Sequence, residues 1–188
     1  MTRNFEILKT IEDGQIPVLP FELEIARDSM AKLTATQKEL SEDLGDAMNQ
    51  SSETWHDNAP AEAISSRSLI LAESAKPHQR LLKNGVPFEY SNDNDEVTLG
   101  SVVSVQTNID PSKDMTKYIL TGATLNLPED ILSLQNTNEI TAITLSSPIG
   151  RAILGAKVGD DISFNMPRGR KSNIRICNIE SIVDPTAK

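Results

Sequence analysis

Between Phe21 and Gln50, positions Leu23, Ala26, Met30, Leu33, Gln37, Leu40, Leu44 and Ala47 recur at alternating spacings of three and four. A repeat of that period leaves a helix with one narrow stripe to bury, and the simplest cover is a second helix of the same kind. Lys32, Lys38 and the run Ser41-Glu42-Asp43 fall off the stripe, on solvated positions. A matching series follows at Ala61, Ile64, Ser68, Leu71, Ala75, His78 and Leu82. The polar connection between the two is short, which predicts an antiparallel coiled-coil hairpin within a monomer. The alternatives are that each seam packs on another part of the protein or pairs between chains. Pro77 lies inside the second series, so a kink or helix restart is expected near Lys76. His78 reads as a half-solvated seam residue.

The connection itself, "SETWHDNAPAE" from Ser52 to Glu62, holds the only tryptophan, one of two histidines and three carboxylates. A turn that served packing alone would carry small polar residues. Asp57 or Asn58 can cap the second helix, with Pro60 in its first turn and Glu62 favoured there by the helix dipole. Trp55 reads either as a contact residue or as a lid folded back over the seam, and His56 as a surface residue.

The chain has 188 residues and a formal net charge of -9, with a sequence pI near 4.7. That balance argues against nonspecific binding to nucleic acid, which needs clustered Lys and Arg. The single cysteine, Cys177, excludes an internal disulfide framework and fits a reducing compartment. Its place in the apolar run "IRICNI" predicts a core position. No secretory signal is visible at the N-terminus, and no stretch nears the roughly 20 apolar residues of a membrane span. These readings point to a cytoplasmic protein. Residues 1–20 read as a partly ordered extension, because Gly14, Pro17 and Pro20 break the helical pattern of "NFEILKTIE". Residues 21–84 are then the hairpin, with its tip near 50–58, and 85–188 a second domain.

Beyond Gly85 and Pro87 the period falls to two. "VTLGSVVSVQT", "TKYILTGATL", "EITAITLSS", "DISFNM" and "SNIRICNIESIV" are rich in β-branched residues and bounded by Gly, Pro, Asn and Asp. One helical piece, Ile149 to Leu154, interrupts them. The chain is therefore α+β, with a small, mostly antiparallel sheet curled around one short helix.

"SPIGRAILGAKVGDDISF" is the most distinctive segment. Ser147-Pro148 begins a turn into the short helix, Gly155 ends it, and Gly159-Asp160 turns into a strand. The run Ser147, Pro148, Arg151, Ala152, Gly155, Gly159 and Asp160 resembles the Ser-Pro-x-x-Arg-Ala-x-x-Gly-x-x-x-Gly-Asp pattern of the Gre-type bacterial transcript-cleavage factors. In that family the pattern lies in an FKBP-like domain preceded by an antiparallel coiled coil, and the resemblance covers most of residues 21 to 184.

The resemblance implies a transcription elongation factor that is not itself an enzyme. Its globular domain would dock at the rim of the RNA polymerase secondary channel through Ser147, Pro148, Ile149, Gly150 and Arg151. The coiled coil would enter the channel and bring tip carboxylates to catalytic Mg²⁺ supplied by the polymerase, near the 3′ end of the nascent RNA. The free protein would bind no metal of its own. The family tip reads Asp-x-x-Glu-Asn-Ala. Here Asp57-Asn58-Ala59 matches its last three places with a shorter acid, and the first acid falls on Thr54, beside Glu53. Asp57, Glu53 and Glu62 are the candidate metal-presenting residues, and Trp55, His56 and Asn58 the candidate tip contacts. Isolated bases along the second arm, Arg67, Lys76 and Arg80, are candidates for RNA contact. The shifted acid and bulky Trp55 also suit a regulatory paralog that occupies the channel without promoting cleavage. A prolyl isomerase on the FKBP-like domain is the reading from another class, and it has only Phe164, Tyr90 and Tyr118 to line an aromatic pocket.

Overall fold

A computed structural model describes residues 3–50, 59–91, 94–107, 115–123, 140–166 and 169–182. Two compact units divide the chain: residues 1–22 with 85–188, and residues 23–84.

The second unit is helical. Helix α2 (Pro20–Gln50) enters it and helix α3 (Ala59–Asn84) leaves it. On α2, Leu23, Ala26, Met30, Leu33, Leu40, Leu44 and Ala47 are buried or half-buried, while the residues between Leu33 and Leu40 face solvent. On α3, Ala61, Ile64, Ser68, Leu71, Ala75 and His78 are covered, and the stripe closes on buried Leu81 rather than on the expected Leu82. Gln37, exposed in its surroundings, still occupies its seam place: its Nε2 donates to Ser68 Oγ at 2.6 Å. The two helices run side by side in opposite directions, since Met30 and Leu33 share a cavity wall with Ala75 and Gln79 while Gln37 meets Ser68. Helix α3 runs unbroken through Pro77, so the restart expected near Lys76 is absent. Proline deletes one hydrogen bond without forcing a stop when both flanks continue the helix.

The first unit carries the sheet. Strands β3 (Ser101–Thr107), β4 (Thr116–Thr121), β5 (Ile140–Thr144), β6 (Asp161–Asn165) and β7 (Lys171–Ser181) lie in the order β5-β4-β3-β7-β6. Helix α4 (Pro148–Ile153) falls between β5 and β6. Only β4 and β5 pair in parallel; β3–β4, β3–β7 and β6–β7 are antiparallel. Central β3 is buried from Ser101 through Val105, so both its faces are covered. Side chains of a half-solvated strand alternate between core and water, and β7 does so through Ser172, Ile174 and Ile176. The next core residue is Ile179, one place out of phase. Pairing to β3 slips between Ser104 and Val105, where Asn178 and Ile176 are successive partners. Cys177 is the extra residue of that bulge. It is therefore half-buried, not the core residue that "IRICNI" suggests.

The N-terminal residues, read from sequence as an extension, are grouped with the sheet. Helix α1 (Arg3–Glu12) buries Ile7 completely, and strand β1 (Ile16–Val18) pairs in parallel with β2 (Gly85–Pro87). Asn4 Nδ2 donates to Glu96 Oε1 at 3.0 Å and to the Val97 carbonyl at 3.2 Å. The Arg3 guanidinium donates to the Glu89 carbonyl and lies over the Phe88 ring. Pro17 and Pro87, which mark the sequence as broken, are tolerated because these strands form a two-stranded pair rather than a sheet interior. Among the described residues no helix is long and apolar enough to cross a membrane.

Glu22 fixes the start of α2. It is fully buried, and Oε2 accepts from the backbone N–H of Leu19 at 2.8 Å and of Gly122 at 3.0 Å. Oε1 accepts from Ala123 N–H at 2.9 Å. The reach back to Leu19 is the acidic half of a capping box, satisfying a donor that the helix cannot.

Candidate functional site

The segment after β5 is held by a network of short local bonds. Ser147 is the N-cap of α4, in extended conformation at φ -74 and ψ 151, and Pro148 occupies the first turn. Proline suits that place because its missing N–H has no helical partner there. Ser147 Oγ accepts from Gly150 N–H at 3.0 Å and donates to the Thr144 carbonyl at 2.7 Å. The same carbonyl accepts from Ser147 N–H at 3.0 Å.

Gly150 has no room for a side chain. A Cβ there would stand 2.1 Å from the Thr144 oxygen and 2.9 Å from its carbonyl carbon. The backbone of α4 thus lies against the end of β5, and only glycine permits it. Ile153, fully buried, anchors the other side of the helix. Beyond it, Gly155 and Gly159 take left-handed φ values of 80° and 95°. Gly155 N–H donates to Val97 O at 2.8 Å, and Gly159 N–H to Ile176 O at 2.8 Å. Asp160 Oδ2 accepts from Lys157 N–H at 2.8 Å, closing the turn into β6.

The motif positions are thereby engaged in making the backbone path, and the Arg151 side chain is left over. Arg151 is exposed on α4; its backbone N–H donates to the Ser147 carbonyl at 3.0 Å, while its guanidinium has no hydrogen bond or ion pair among the described residues. Pro148 is exposed and Ile149 half-buried beside it. The arrangement is a rigid, solvent-facing turn that displays one unpaired guanidinium, able to take a carboxylate or carbonyl group of a partner.

The next residue after the motif, Asp161, pairs with Arg175 across β6 and β7. Arg175 Nε and Nη2 reach Oδ1 and Oδ2 at 2.8 and 2.6 Å. The hydrogen bond from Arg175 holds the Asp161 carboxyl below the ordinary carboxylate range. Because the folded value is the lower one, the pair favours the fold above the ordinary aspartate range, and that contribution disappears as pH falls through the lowered value. In Arg175→Gln, carboxyl resonances followed by NMR should show Asp161 titrating at higher pH than in the parent chain. An unchanged midpoint would mean that the contact is not kept in solution.

Of the tip candidates, Glu62 stands exposed in the first turn of α3. Glu53, Trp55, His56, Asp57 and Asn58 lie outside the described residues. Arg67, Lys76 and Arg80 are exposed along α3, with Lys76 paired to Glu73. Tyr118 and Phe164 sit on β4 and β6, with β3 and β7 between those strands, which does not gather them into one aromatic pocket. Sequence reading missed Glu22 and Thr144. A glutamate three places after Leu19, at the start of a helical pattern, was the available signal for the first; nothing marked the carbonyl of the second.

Comparison with known proteins covers both units. A family model described as "Transcription elongation factor, GreA/GreB, C-term" matches residues 92–181. The chain is 23% identical over 124 residues to transcription elongation factor GreA of Staphylococcus saprophyticus, spanning 66% of this chain and 71% of that one. To GreA of Thermotoga neapolitana it is 27% identical over 146 residues, spanning 78% and 80%. Among solved structures, GreA factor homolog 1 (Gfh1) of Thermus thermophilus is 22% identical, with 89% of this chain and 99% of that one covered at a TM-score of 0.39. Residues 92–181, which carry the Ser147–Asp160 turn just described, match the C-terminal domain of the GreA/GreB transcription elongation factors, and the curated relatives similar to this chain are GreA factors.

Proposed function

We propose that this protein binds bacterial RNA polymerase at its secondary channel and stimulates transcript cleavage in backtracked complexes. On this reading α2 and α3 form a coiled-coil rod, the sheet unit is FKBP-like, and the turn at Ser147–Arg151 is the docking element. Asp57, assisted by Glu53 and with Glu62 behind them, presents carboxylate oxygens at the tip to Mg²⁺ held by the polymerase. Trp55, His56 and Asn58 make the tip's other contacts. Phosphodiester hydrolysis assisted by Mg²⁺ uses oxygen ligands to hold the ion and position the attacking water, and carboxylates on a stiff rod suit that task. The catalytic centre belongs to the polymerase, so the chain is a cofactor of cleavage rather than an enzyme. The net charge of -9 speaks for a protein partner over duplex DNA.

The observation that carries the reading is the exposed, unpaired Arg151 on a backbone turn otherwise consumed by its own hydrogen bonds, inside the segment matched to the family. Its test is binding of fluorescent protein to bacterial core polymerase. Arg151→Ala should weaken the complex by about ten-fold, the loss of one well-placed interface arginine. Affinity unchanged in Arg151→Ala would remove the turn from the interface.

A second reading keeps the channel and drops the chemistry. Thr54 occupies the place of the family's first tip acid, with Trp55 beside it, which favours a factor that fills the channel without promoting cleavage.

A further inference from the structure

Three features of the helical hairpin fall at one level along its length. The first is Pro77, which has no N–H to offer the Glu73 carbonyl one turn earlier, inside an otherwise continuous helix. The second is a cavity of about 230 Å³ between the helices, walled by Met30, Leu33 and Thr34 on α2 and by Leu71, Ala75 and Gln79 on α3. Ala75 is buried there but too short to fill the space. The third is the seam pair at its outer end, Gln37, which also lines the cavity, and Ser68, where a solvent-exposed hydrogen bond replaces an apolar contact. Nearer the base of the hairpin Ala26 and Leu81 are buried, and farther out Leu40 is. Two closed levels therefore flank an open one.

Each feature alone weakens a helix pair slightly. Together they remove from one short stretch a backbone hydrogen bond, side-chain packing and apolar burial, the three terms that resist bending. We infer that the hairpin carries a hinge at this level, pivoting about Pro77, so that the part beyond Gln37 and Ser68 swings as a unit on the part below Met30 and Gln79. The bend is a property of the hairpin itself and holds whether or not the rod enters a polymerase channel. If it does, the hinge sets the range of positions that the outer hairpin samples.

The test is pulsed electron-electron distance measurement on the full chain. Spin labels are attached at Arg67→Cys and Lys83→Cys, two exposed sites on α3 that bracket Pro77, in a Cys177→Ser background. A straight helix separates those backbone positions by about 24 Å, from 1.5 Å per residue. The hinge predicts a broad or two-peaked distribution that narrows to one peak in Pro77→Ala. Ala72→Leu, which fills the groove from its rim, should narrow it independently. Hydrogen exchange at Ser74–Lys76 should slow on the order of ten-fold or more in Pro77→Ala, as a locally opening turn becomes closed. A single narrow peak in the parent chain, the same in both variants, would overturn the hinge. So would amides at Ser74–Lys76 that already exchange as slowly as those at Leu81.

Discussion

Glu22→Ala is expected to lower the unfolding free energy of the sheet unit by about 3–5 kcal/mol, measured as a shift in the urea midpoint. The carboxylate is fully buried and accepts from Leu19, Gly122 and Ala123. Truncation leaves three backbone donors facing a void that a methyl group cannot serve. Each unsatisfied buried donor costs about 1–3 kcal/mol, and bonds to a charged acceptor sit at the upper end. Glu22→Gln keeps the shape and one acceptor oxygen, but it turns an amide NH₂ toward N–H groups, so an intermediate loss is expected. A change below about 1 kcal/mol in Glu22→Ala would show that water or a shifted backbone takes over those donors.

Gly150→Ala is the second large effect. The methyl would meet the Thr144 oxygen at 2.1 Å, and that oxygen already accepts from both Ser147 N–H and Ser147 Oγ. Neither side can yield without breaking the cap. Either α4 lifts from the end of β5 or the N-cap bonds are lost, at a cost of about 2–4 kcal/mol. Unlike Arg151→Ala, this variant should lose stability and polymerase binding together, because the turn that carries Arg151 is displaced. Ser147→Ala removes the Oγ bonds but keeps the space, and should cost about 1 kcal/mol. A Gly150→Ala chain as stable as its parent would mean that α4 and β5 are not pressed together in solution.

What could be read from sequence divides along the range of the interactions. The hairpin seams were legible except at the end of the second, which closes on Leu81 instead of Leu82, and they included the polar Gln37 and Ser68 that meet each other, because a helix repeats its own period. The five sheet strands were legible from alternation and their turn residues, and so was the path from Ser147 to Asp160, whose cap and closing turn rest on local hydrogen bonds although its glycines also reach Val97 and Ile176. The failures are long-range. Nothing near Glu22 announces that its partners lie a hundred positions away, at Gly122 and Ala123. Strands β1 and β2 are three residues each, contain proline, and gain strand character only from pairing with one another. Cys177 sits in an apolar run, yet a bulge set by pairing to β3 moves it off the core face. Periodicity cannot foresee a register slip that the neighbouring strand imposes.

Whether the hairpin tip brings a carboxylate to the polymerase's metal, as proposed, is decided by transcript cleavage on a backtracked bacterial elongation complex. With saturating protein, the parent chain should shorten the RNA. Asp57→Ala should slow that cleavage on the order of a hundred-fold while binding polymerase as tightly, since one lost metal-holding oxygen group is felt in the chemical step. Glu53→Ala should lose less. A parent chain that binds the complex and leaves the RNA uncut would contradict the claim and make this protein an occupant of the channel rather than a participant in its chemistry.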